Sequence, residues 1–538
     1  YTLPMEPRTF NALIAEDAYA AQIIALMLPG LTTLDPFTQK PKGELAHSWE
    51  ISEDRKSYTV RLREGLKWSD GAPFTADDVV FTFDTIFAKD IPNRYRQQYT
   101  IGGQPLRYEK IDAHTLRFST AKPYAPFLND LGFISILPKH KLERFVKDGT
   151  FKSRWSNQTA MDTPQEIVAL GAFRIHSYRP GERIVLEPNP HYWKADKNGQ
   201  RLPYIDRLII KFIPDANTGT LLFATGQVDA AVVSPSDVAW VRKSAETYDF
   251  TIHNRGADTG IFFIYFNLKS GHDAHGDPYG DPVKKKWFSN LHFRRALMHA
   301  IDRPGLIQAV MFGQGGELDS IISPANGKWH NPHTKKYKYD PARAKEELNM
   351  AGFSRDKDGQ LTDGEGNAVQ FELLVADGSE RSAKIATTFL DNMAAIGITV
   401  RLAYLDFGTL ISRTSDTFSF DAAMLGLTGG GDPSGGKAVY RSDGRLHFWN
   451  PSQPKPETDW EKQIDALFDA SESEFDEAKR VALIYEMQDV ISEQVPLLFM
   501  VTPNSFMGLQ NRWQGVRPPP IGSLLWNLES LWEKRAQP

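Results

Sequence analysis

Short segments in which apolar and polar residues alternate recur along this chain, and helices with clear boundaries lie between them. Residues 58–62, 208–212 and 398–402 alternate in this way, and a period of two is typical of half-buried β-strands. Residues 379–395 carry apolar side chains at near-helical spacing and stop at Gly397, directly before one of these strands. The combination predicts helix–strand units and therefore an α/β fold.

Two further helices have residues that mark where they start or stop. Thr75 and Asp78 have the spacing of a capping box, and an apolar run follows them. Asp340 and Pro341 suit the cap and the first position of another helix. We expect that helix to end near Gly352, because glycine adopts the left-handed conformation easily.

The size and charge of the chain are those of an ordinary globular protein. It has 538 residues, enough for about three to four domains of roughly 150 residues. Charged residues make up 24% and the net charge is −5, which argues against a nucleic-acid-binding surface. The longest apolar run near the start, residues 23–28, is far shorter than the ~20 residues that span a bilayer, so no membrane helix is predicted.

Two absences narrow the chemistry. Cysteine is absent, which excludes disulfides, thiolate metal ligands and thiol nucleophiles. The hydrolase motifs G-x-S-x-G and H-E-x-x-H are also absent, although scattered serine, histidine and aspartate residues leave a catalytic triad open. The sequence starts at Tyr1 without a signal segment, so we expect a mature or truncated form from which any export signal is already gone. Export as a free protein and as a lipid-anchored one both stay open.

A long segment in the first part of the chain carries a resemblance to a known family. Residues 31–35, 44–54 and 58–79 (the last reading YTVRLREGLKWSDGAPFTADDV) resemble the opening signature of the family 5 extracytoplasmic solute-binding proteins, the oligopeptide, dipeptide and nickel receptors of ABC importers. Further matches follow in family order at residues 171–173, 189–193, 202–206, 226–229, 293–297, 301–303 and 420–421. The resemblance covers nearly the whole chain and is weakest at residues 271–286 and 429–454.

The resemblance implies a fold and its domain limits. It implies an α/β, two-lobed periplasmic-binding-protein-like fold (type II, cluster C) with an extra domain inserted in one lobe. By analogy, residues 1–44, 166–266 and 500–538 form lobe I, residues 45–165 form the extra domain, and residues 267–499 form lobe II. Trp68 and Phe74 fall in the extra domain, where we expect them to be core anchors rather than ligand contacts, since apolar aromatic residues are mostly buried.

The resemblance also implies a function. A receptor of this family lies outside the cytoplasm, closes on a peptide or peptide-like solute between its lobes without changing it, and presents it to the permease subunits of an ABC transporter. No cofactor, metal or nucleic acid is expected, and such receptors usually act as monomers. An oligosaccharide receptor is the alternative, with Trp449 and Trp460 as stacking platforms, although ordinary packing explains both residues equally well. A hydrolase on this scaffold is a more distant alternative.

Family position assigns the candidate ligand-binding residues. Glu16 and Tyr19 are expected on one wall of the site, although a solvated carboxylate and ordinary packing explain them equally well. The opposite wall is expected from Phe407 and a glycine-rich loop. The expected contacts in that loop are Gly426, Leu427, Thr428, Gly429, Gly430 and Asp432.

The glycine-rich loop departs from the family pattern. Peptide-binding relatives usually place an aspartate after a Gly-Trp pair to hold the ligand's α-ammonium, whereas here the pair is Gly426-Leu427 and the aspartate's place falls on Gly429 or Gly430. A buried ammonium without a partner costs several kcal/mol. Either Asp432 takes over this role, or the ligand is not an ordinary peptide with a free amino group. A turn at Asp432-Pro433 is a third interpretation.

Three weaker patterns were weighed against ordinary structure. Residues 431–437 fit a phosphate-binding loop, but position 438 is alanine, so the hydroxyl that would bind magnesium is missing. A crowded loop could ligate a metal, although a solvated insertion explains it better; its members are His272, Asp273, His275, Asp277 and Asp281. Asp358-Gly359 is better explained as a hairpin turn than as part of a calcium loop.

Overall fold

The computed structural model describes residues 1–15, 17–519 and 521–534. The chain forms two units, the first made of Tyr1–Asn254 with Phe506–Pro538 and the second of Arg255–Ser505. The chain therefore passes from one unit to the other after Asn254 and returns after Ser505. Within the described residues, every helix is too short or too polar to cross a membrane.

The helices are numbered in chain order. They are α1 Ala18–Met27, α2 Ala76–Phe87, α3 Tyr95–Gln98, α4 Phe127–Phe133, α5 Lys139–Lys147, α6 Asn157–Asp162, α7 Ala216–Ala224, α8 Val238–Tyr248, α9 Pro282–Ser289, α10 Leu291–Ala300, α11 Arg303–Met311, α12 Pro341–Met350, α13 Glu380–Ile396, α14 Phe407–Ser415, α15 Lys437–Tyr440, α16 Asp459–Ser473 and α17 Glu477–Gln494. Short 3-10 helices lie at Phe151–Ser153, Pro164–Glu166, Pro324–Trp329, Pro433–Gly436 and Leu528–Ser530.

The strands are numbered in the same way. They are β1 Thr2–Leu3, β2 Thr32–Leu34, β3 Pro41–Gly43, β4 Ala46–Ile51, β5 Ser57–Leu62, β6 Thr100–Ile101, β7 Gln104–Pro105, β8 Arg107–Lys110, β9 Thr115–Ser119, β10 Phe173–Arg179, β11 Arg183–Pro188, β12 Leu208–Phe212, β13 Ala230–Val233, β14 Phe250–Ala257, β15 Ile261–Phe266, β16 Gly315–Glu317, β17 Ser354–Arg355, β18 Leu361–Thr362, β19 Gln370–Ala376, β20 Thr399–Leu405, β21 Ala422–Leu427, β22 Leu497–Phe499, β23 Val501–Gln510, β24 Trp513–Gln514 and β25 Trp532–Glu533.

Unit 1 contains two four-stranded sheets, with strand orders β4-β5-β9-β8 and β1-β12-β11-β10. The first sheet is antiparallel throughout, and α2 contacts it through β8. Trp68 and Phe74 are 0% and 1% exposed, which confirms them as core anchors. The indole N–H of Trp68 donates to Asp78, which also closes the predicted capping box with Thr75.

Unit 2 is built on a five-stranded sheet with strand order β20-β19-β21-β15-β22. β19 runs parallel to both β20 and β21, while β15 runs antiparallel to β21 and β22. The sequence of β15, IFFIYF, is apolar without alternation and its residues are almost all buried, as expected for a strand inside a sheet that is covered on both faces. The sheet is therefore the rigid centre of unit 2.

The elements predicted from local patterns are confirmed. The three alternating segments correspond to β5, β12 and β20. Asp340 caps α12, and the helix predicted at residues 379–395 is α13, which is followed by Gly397 in the left-handed conformation. The α/β composition agrees with the predicted class, while the predicted domain limits stay a prediction.

Candidate functional site

The parallel strands of unit 2 bring several loops together at one end of the sheet. Ala376, the last residue of β19, lies beside Leu405, the last residue of β20, and β21 runs in the same direction and ends at Leu427. Ile261, the first residue of β15, pairs with Leu427. We call this the carboxyl end of the sheet. Ligands of open α/β sheets bind outside the carboxyl ends of parallel strands, so the loops here form the candidate site.

Phe407, which family position assigns to one wall of the ligand site, lies at the carboxyl end, and its ligand contact stays a prediction. It is the first residue of α14, directly after β20, and it is 61% exposed. Asp406 caps this helix by accepting a hydrogen bond from the main-chain N–H of Thr409, which fixes the helix start. An aromatic ring held on a capped helix and left open to solvent is suited to ligand contact.

The glycine-rich loop follows β21 at the same end. A Cβ atom on Gly429 would lie 2.6 Å from the carbonyl oxygen of Thr259, and Gly430 and Gly431 have φ values of +134° and +78°. These positions require glycine because of steric contact in the first case and backbone conformation in the others. Gly426, Thr428, Gly429 and Gly430 are exposed and Leu427 is half-buried. The loop therefore presents mainly main-chain groups.

Asp432, for which replacement of the missing ammonium anchor was one of three interpretations, has a protein partner. Its two carboxylate oxygens accept hydrogen bonds from the Arg480 guanidinium at 2.5 and 2.6 Å, and one also accepts from the main-chain N–H of Ser434 at 3.0 Å. Burial alone would raise the pKa of Asp432, but the Arg480 charge and these hydrogen bonds hold that pKa below its usual value. The residue starts the turn at Pro433–Gly436, and its contact with a ligand stays a prediction.

A cavity of about 270 Å³ lies at the carboxyl end within unit 2. Its apolar lining includes Phe262, Met311 and Ile385, and charged groups come from Asp258 and Arg381. Among the ion pairs of the described residues none involves Arg381, whose side chain is exposed. An apolar pocket with a few charged groups at its rim suits a small zwitterionic or carboxylate-bearing solute.

Arg381 was missed by the sequence reasoning. It belongs to the first turn of α13, whose cap Ser379 accepts a hydrogen bond from the main-chain N–H of Ser382. Helix N-termini favour anions because their N–H groups are unpaired and the helix dipole is positive there. The sequence does contain a pattern that could have predicted Arg381 as a ligand contact. It is an arginine in the first turn of a serine-capped helix that follows a strand.

A second cavity, of about 500 Å³, lies at the opposite end of the same sheet. Its charged groups are largely paired with each other: Lys284 contacts Asp421 at 2.6 Å, and Arg413 contacts Glu372 at 3.0 Å. Arg401, on the edge strand β20, also lines it. Charged groups that pair with each other are less able to bind a ligand than Arg381 at the carboxyl end.

The predicted contacts in unit 1 are only partly described. Tyr19 is the second residue of α1 and is half-buried, and Asp17 caps this helix. Glu16 lies outside the described residues. The proposed role of both residues in ligand binding stays a prediction.

Trp449 is not a stacking platform. Its side chain is 1% exposed and its indole N–H donates to Glu461 at 3.0 Å. Trp460 packs against it with ring centroids 5.8 Å apart. Of the two interpretations of Trp449, packing is confirmed and stacking is not, because the ring fills the core of unit 2 and cannot stack on a sugar.

The crowded loop at residues 271–281 contains an ordinary turn. Asp273 accepts hydrogen bonds from the main-chain N–H groups of His275 and Asp277 at 2.8 and 3.0 Å. In the part of the chain that the structure describes, no group of three or more histidine, aspartate or glutamate side chains could hold a metal ion.

Curated relatives match this chain over most of its length. A probable ABC transporter-binding protein of Deinococcus radiodurans is 28% identical, with 98% of this chain and 90% of the relative covered. The dipeptide-binding protein of Escherichia coli (strain K12) is 27% identical, with 89% and 84% covered. The similarity to both relatives therefore extends over most of each sequence rather than over one segment.

The family model and a solved structure agree with this. The oligopeptide-binding protein AppA of Bacillus subtilis, solved with a nonapeptide, superposes with a TM-score of 0.77 at 23% identity, with 99% of this chain and 98% of that chain covered. The likeness confirms the predicted class, the α/β periplasmic-binding-protein-like fold. Residues 40–444 match the model described as bacterial extracellular solute-binding proteins, family 5 Middle. The chain therefore belongs to the family 5 bacterial extracellular solute-binding proteins.

Proposed function

We propose that this protein is the receptor of an ABC importer that binds a peptide or peptide-like solute at the carboxyl end of the unit 2 sheet. The observation that carries the proposal is the cavity at that end, which places the exposed Arg381 guanidinium beside an apolar lining. Peptides carry both features that such a pocket selects, a terminal carboxylate and apolar side chains. The names of the E. coli and B. subtilis relatives support the same ligand class.

Each group at the carboxyl end has a role in this proposal. Arg381 forms a charge-assisted pair with the ligand carboxylate, and Phe407 packs against an apolar side chain. The ligand main chain lies along the exposed main chain of Gly426, Leu427, Thr428, Gly429 and Gly430. Hydrogen bonds between main chains do not depend on side-chain identity, which suits a receptor that accepts a range of peptides.

The protein acts as a receptor and not as a hydrolase. The family and the relatives are binding proteins. The solute is then handed intact to membrane permease subunits, in keeping with the extracytoplasmic location of the family. A monomer is sufficient for this role, and export as a free or a lipid-anchored protein would serve it equally.

Native mass spectrometry of freshly purified protein tests the proposal. We expect a complex whose extra mass equals that of an intact peptide, and calorimetry with a peptide library should give saturable binding with one site per chain. Oligosaccharides of matched size serve as the comparison set. Retention of a sugar in place of a peptide would favour the oligosaccharide alternative, and the appearance of shortened peptides would show a hydrolase.

A further inference from the structure

A buried ion pair joins the end of the glycine-rich loop to the body of unit 2. Asp432 is the residue that ends the loop, and its side chain is 2% exposed, while that of Arg480 is 8% exposed. Arg480 belongs to α17 and lies 48 residues after Asp432 in the chain. The pair therefore joins a loop at the carboxyl end to one of the long helices.

Arg480 is itself fixed by other contacts. Its Nε donates to the carbonyl oxygen of Ser471 in α16 at 2.9 Å, and its guanidinium lies 4.9 Å from the centre of the Trp329 ring. The two Nη atoms donate to the two oxygens of Asp432, which is the bidentate geometry of the strongest arginine–carboxylate pairs. The position of Asp432 is thus determined by three separate segments of unit 2.

An ion pair of this kind is poorly suited to releasing its carboxylate to a ligand. Removing one partner from a buried pair is strongly destabilising, because the other charge is left uncompensated. A ligand ammonium would have to displace the guanidinium from both oxygens of Asp432 and enter a nearly closed space. The same fixation is well suited to holding the preceding glycines in their left-handed path.

We infer that Asp432 is a positioning residue, which together with Arg480 holds the turn at residues 429–431 so that its main chain contacts the ligand, and that it does not bind the ligand's α-ammonium. The inference rests on the proposed function and extends it. Any difference in affinity between peptides with free and with blocked amino termini then comes from groups other than Asp432. Neutralising Asp432 therefore weakens the binding of a free peptide and of its N-acetylated form by the same factor.

The test measures Kd by calorimetry for one bound peptide and its N-acetylated form, with the wild type, Asp432→Asn and Asp421→Asn. Asp421 is a matched control, because it lies at the other end of β21 and pairs with Lys284 at 2.6 Å. We expect Asp432→Asn to raise the Kd of both peptides by at least about 10-fold. The ratio of the two Kd values should stay within about 3-fold of the wild-type ratio. Asp421→Asn should lower the Tm and leave both Kd values unchanged.

Three results would overturn the inference. If Asp432→Asn abolishes the preference for the free peptide while the acetylated peptide binds as before, Asp432 is the ammonium anchor. If Asp432→Asn lowers only the Tm, the pair has a purely structural role. If the wild type binds neither peptide, the proposed function fails as well, which the other two results do not imply.

A second variant covers the case in which Asp432→Asn does not fold. The double variant Asp432→Asn with Arg480→Gln removes both charges and leaves no unpaired one, so it should be more stable than either single change. The same ratio of Kd values is measured with it. A ratio that differs from that of the wild type by more than about 3-fold contradicts the inference.

Discussion

Glu461 is the carboxylate on which a buried polar cluster of unit 2 converges. One of its oxygens accepts hydrogen bonds from His447, Trp449 and Gln453 at 3.3, 3.0 and 2.8 Å. The other oxygen accepts from the main-chain N–H and the hydroxyl of Thr458 at 3.0 and 2.9 Å. Burial alone would raise the pKa of Glu461, but these hydrogen bonds lower it to about 2.

The low pKa of Glu461 predicts how stability depends on pH. Because the pKa is about 2 in the folded protein and 4.5 when unperturbed, the stabilisation is fully present above pH 4.5 and is lost as the pH falls toward 2. The contribution is of order 3 kcal/mol. Urea unfolding measured between these pH values should show a free energy of unfolding that falls less steeply for Glu461→Gln than for the wild type.

A control and a contrary result complete this prediction. Glu346→Gln removes a carboxylate whose side chain is 63% exposed. The free energy of unfolding of this variant should depend on pH as that of the wild type does. If Glu461→Gln showed the same stability as the wild type at neutral pH, the cluster would contribute nothing to the fold.

The pairing of individual buried residues could not be predicted from the sequence. The sequence left stacking and packing equally open for Trp449, because its donor Nε1 and its acceptor Glu461 are brought together only by the fold. The partner of Asp432 is 48 residues away, and no local pattern points to it. By contrast, Trp68 and Phe74 were predicted as core residues, because size and apolarity alone favour burial.

Four loops share one turn in which an aspartate is followed three residues later by a glycine. They are residues 196–200, 273–277, 356–360 and 363–367. In each loop the aspartate accepts hydrogen bonds of 2.8–3.0 Å from the main-chain N–H groups two and four residues later. The glycines have φ values of +80° to +89°. These aspartates therefore stabilise turns. The loops whose acidic residues suggested metal binding are explained by this turn.

The loop at residues 363–367 predicts opposite outcomes for its two glycines. Gly366 has a φ of +85° and Gly364 does not lie in the left-handed region, and a Cβ atom on either would meet nothing within 4 Å. Because steric contact is absent, only backbone conformation differs. We expect Gly366→Ala to cost about 1–2 kcal/mol of stability and Gly364→Ala to be neutral or mildly stabilising.

Urea denaturation of the two variants, monitored by circular dichroism, checks this. Equal loss of stability in both would show that the left-handed conformation is not the cause.

At the scale of elements the sequence was most informative. The capping box of α2, the cap of α12 and the glycine that follows α13 all act within a few residues, and each was predicted at the correct position. Asp358-Gly359 was likewise predicted as a hairpin turn, and the hairpin of β17 and β18 confirms it. Local patterns succeed here because the interactions that they describe are themselves local.

The candidate site exists only at the scale of the whole unit. Asp258, Arg381, Phe407 and Leu427 come from separate segments, and the parallel arrangement of β19, β20 and β21 brings these segments to one end of the sheet. Phe407 and the glycine-rich loop were expected there from family position, whereas Asp258 and Arg381 were not. Strand order depends on long-range pairing, which periodicity in the sequence does not encode.

The most direct test of the account is calorimetry with a bound peptide on variants of two arginines that lie at opposite ends of the unit 2 sheet. Arg381 lines the cavity at the carboxyl end, and Arg401 lines the cavity at the opposite end. Loss of a charge-assisted contact should weaken binding by at least about 10-fold in Arg381→Gln, while Arg401→Gln binds as the wild type does. Unchanged affinity in Arg381→Gln together with weakened binding in Arg401→Gln would contradict the assignment of the site to the carboxyl end.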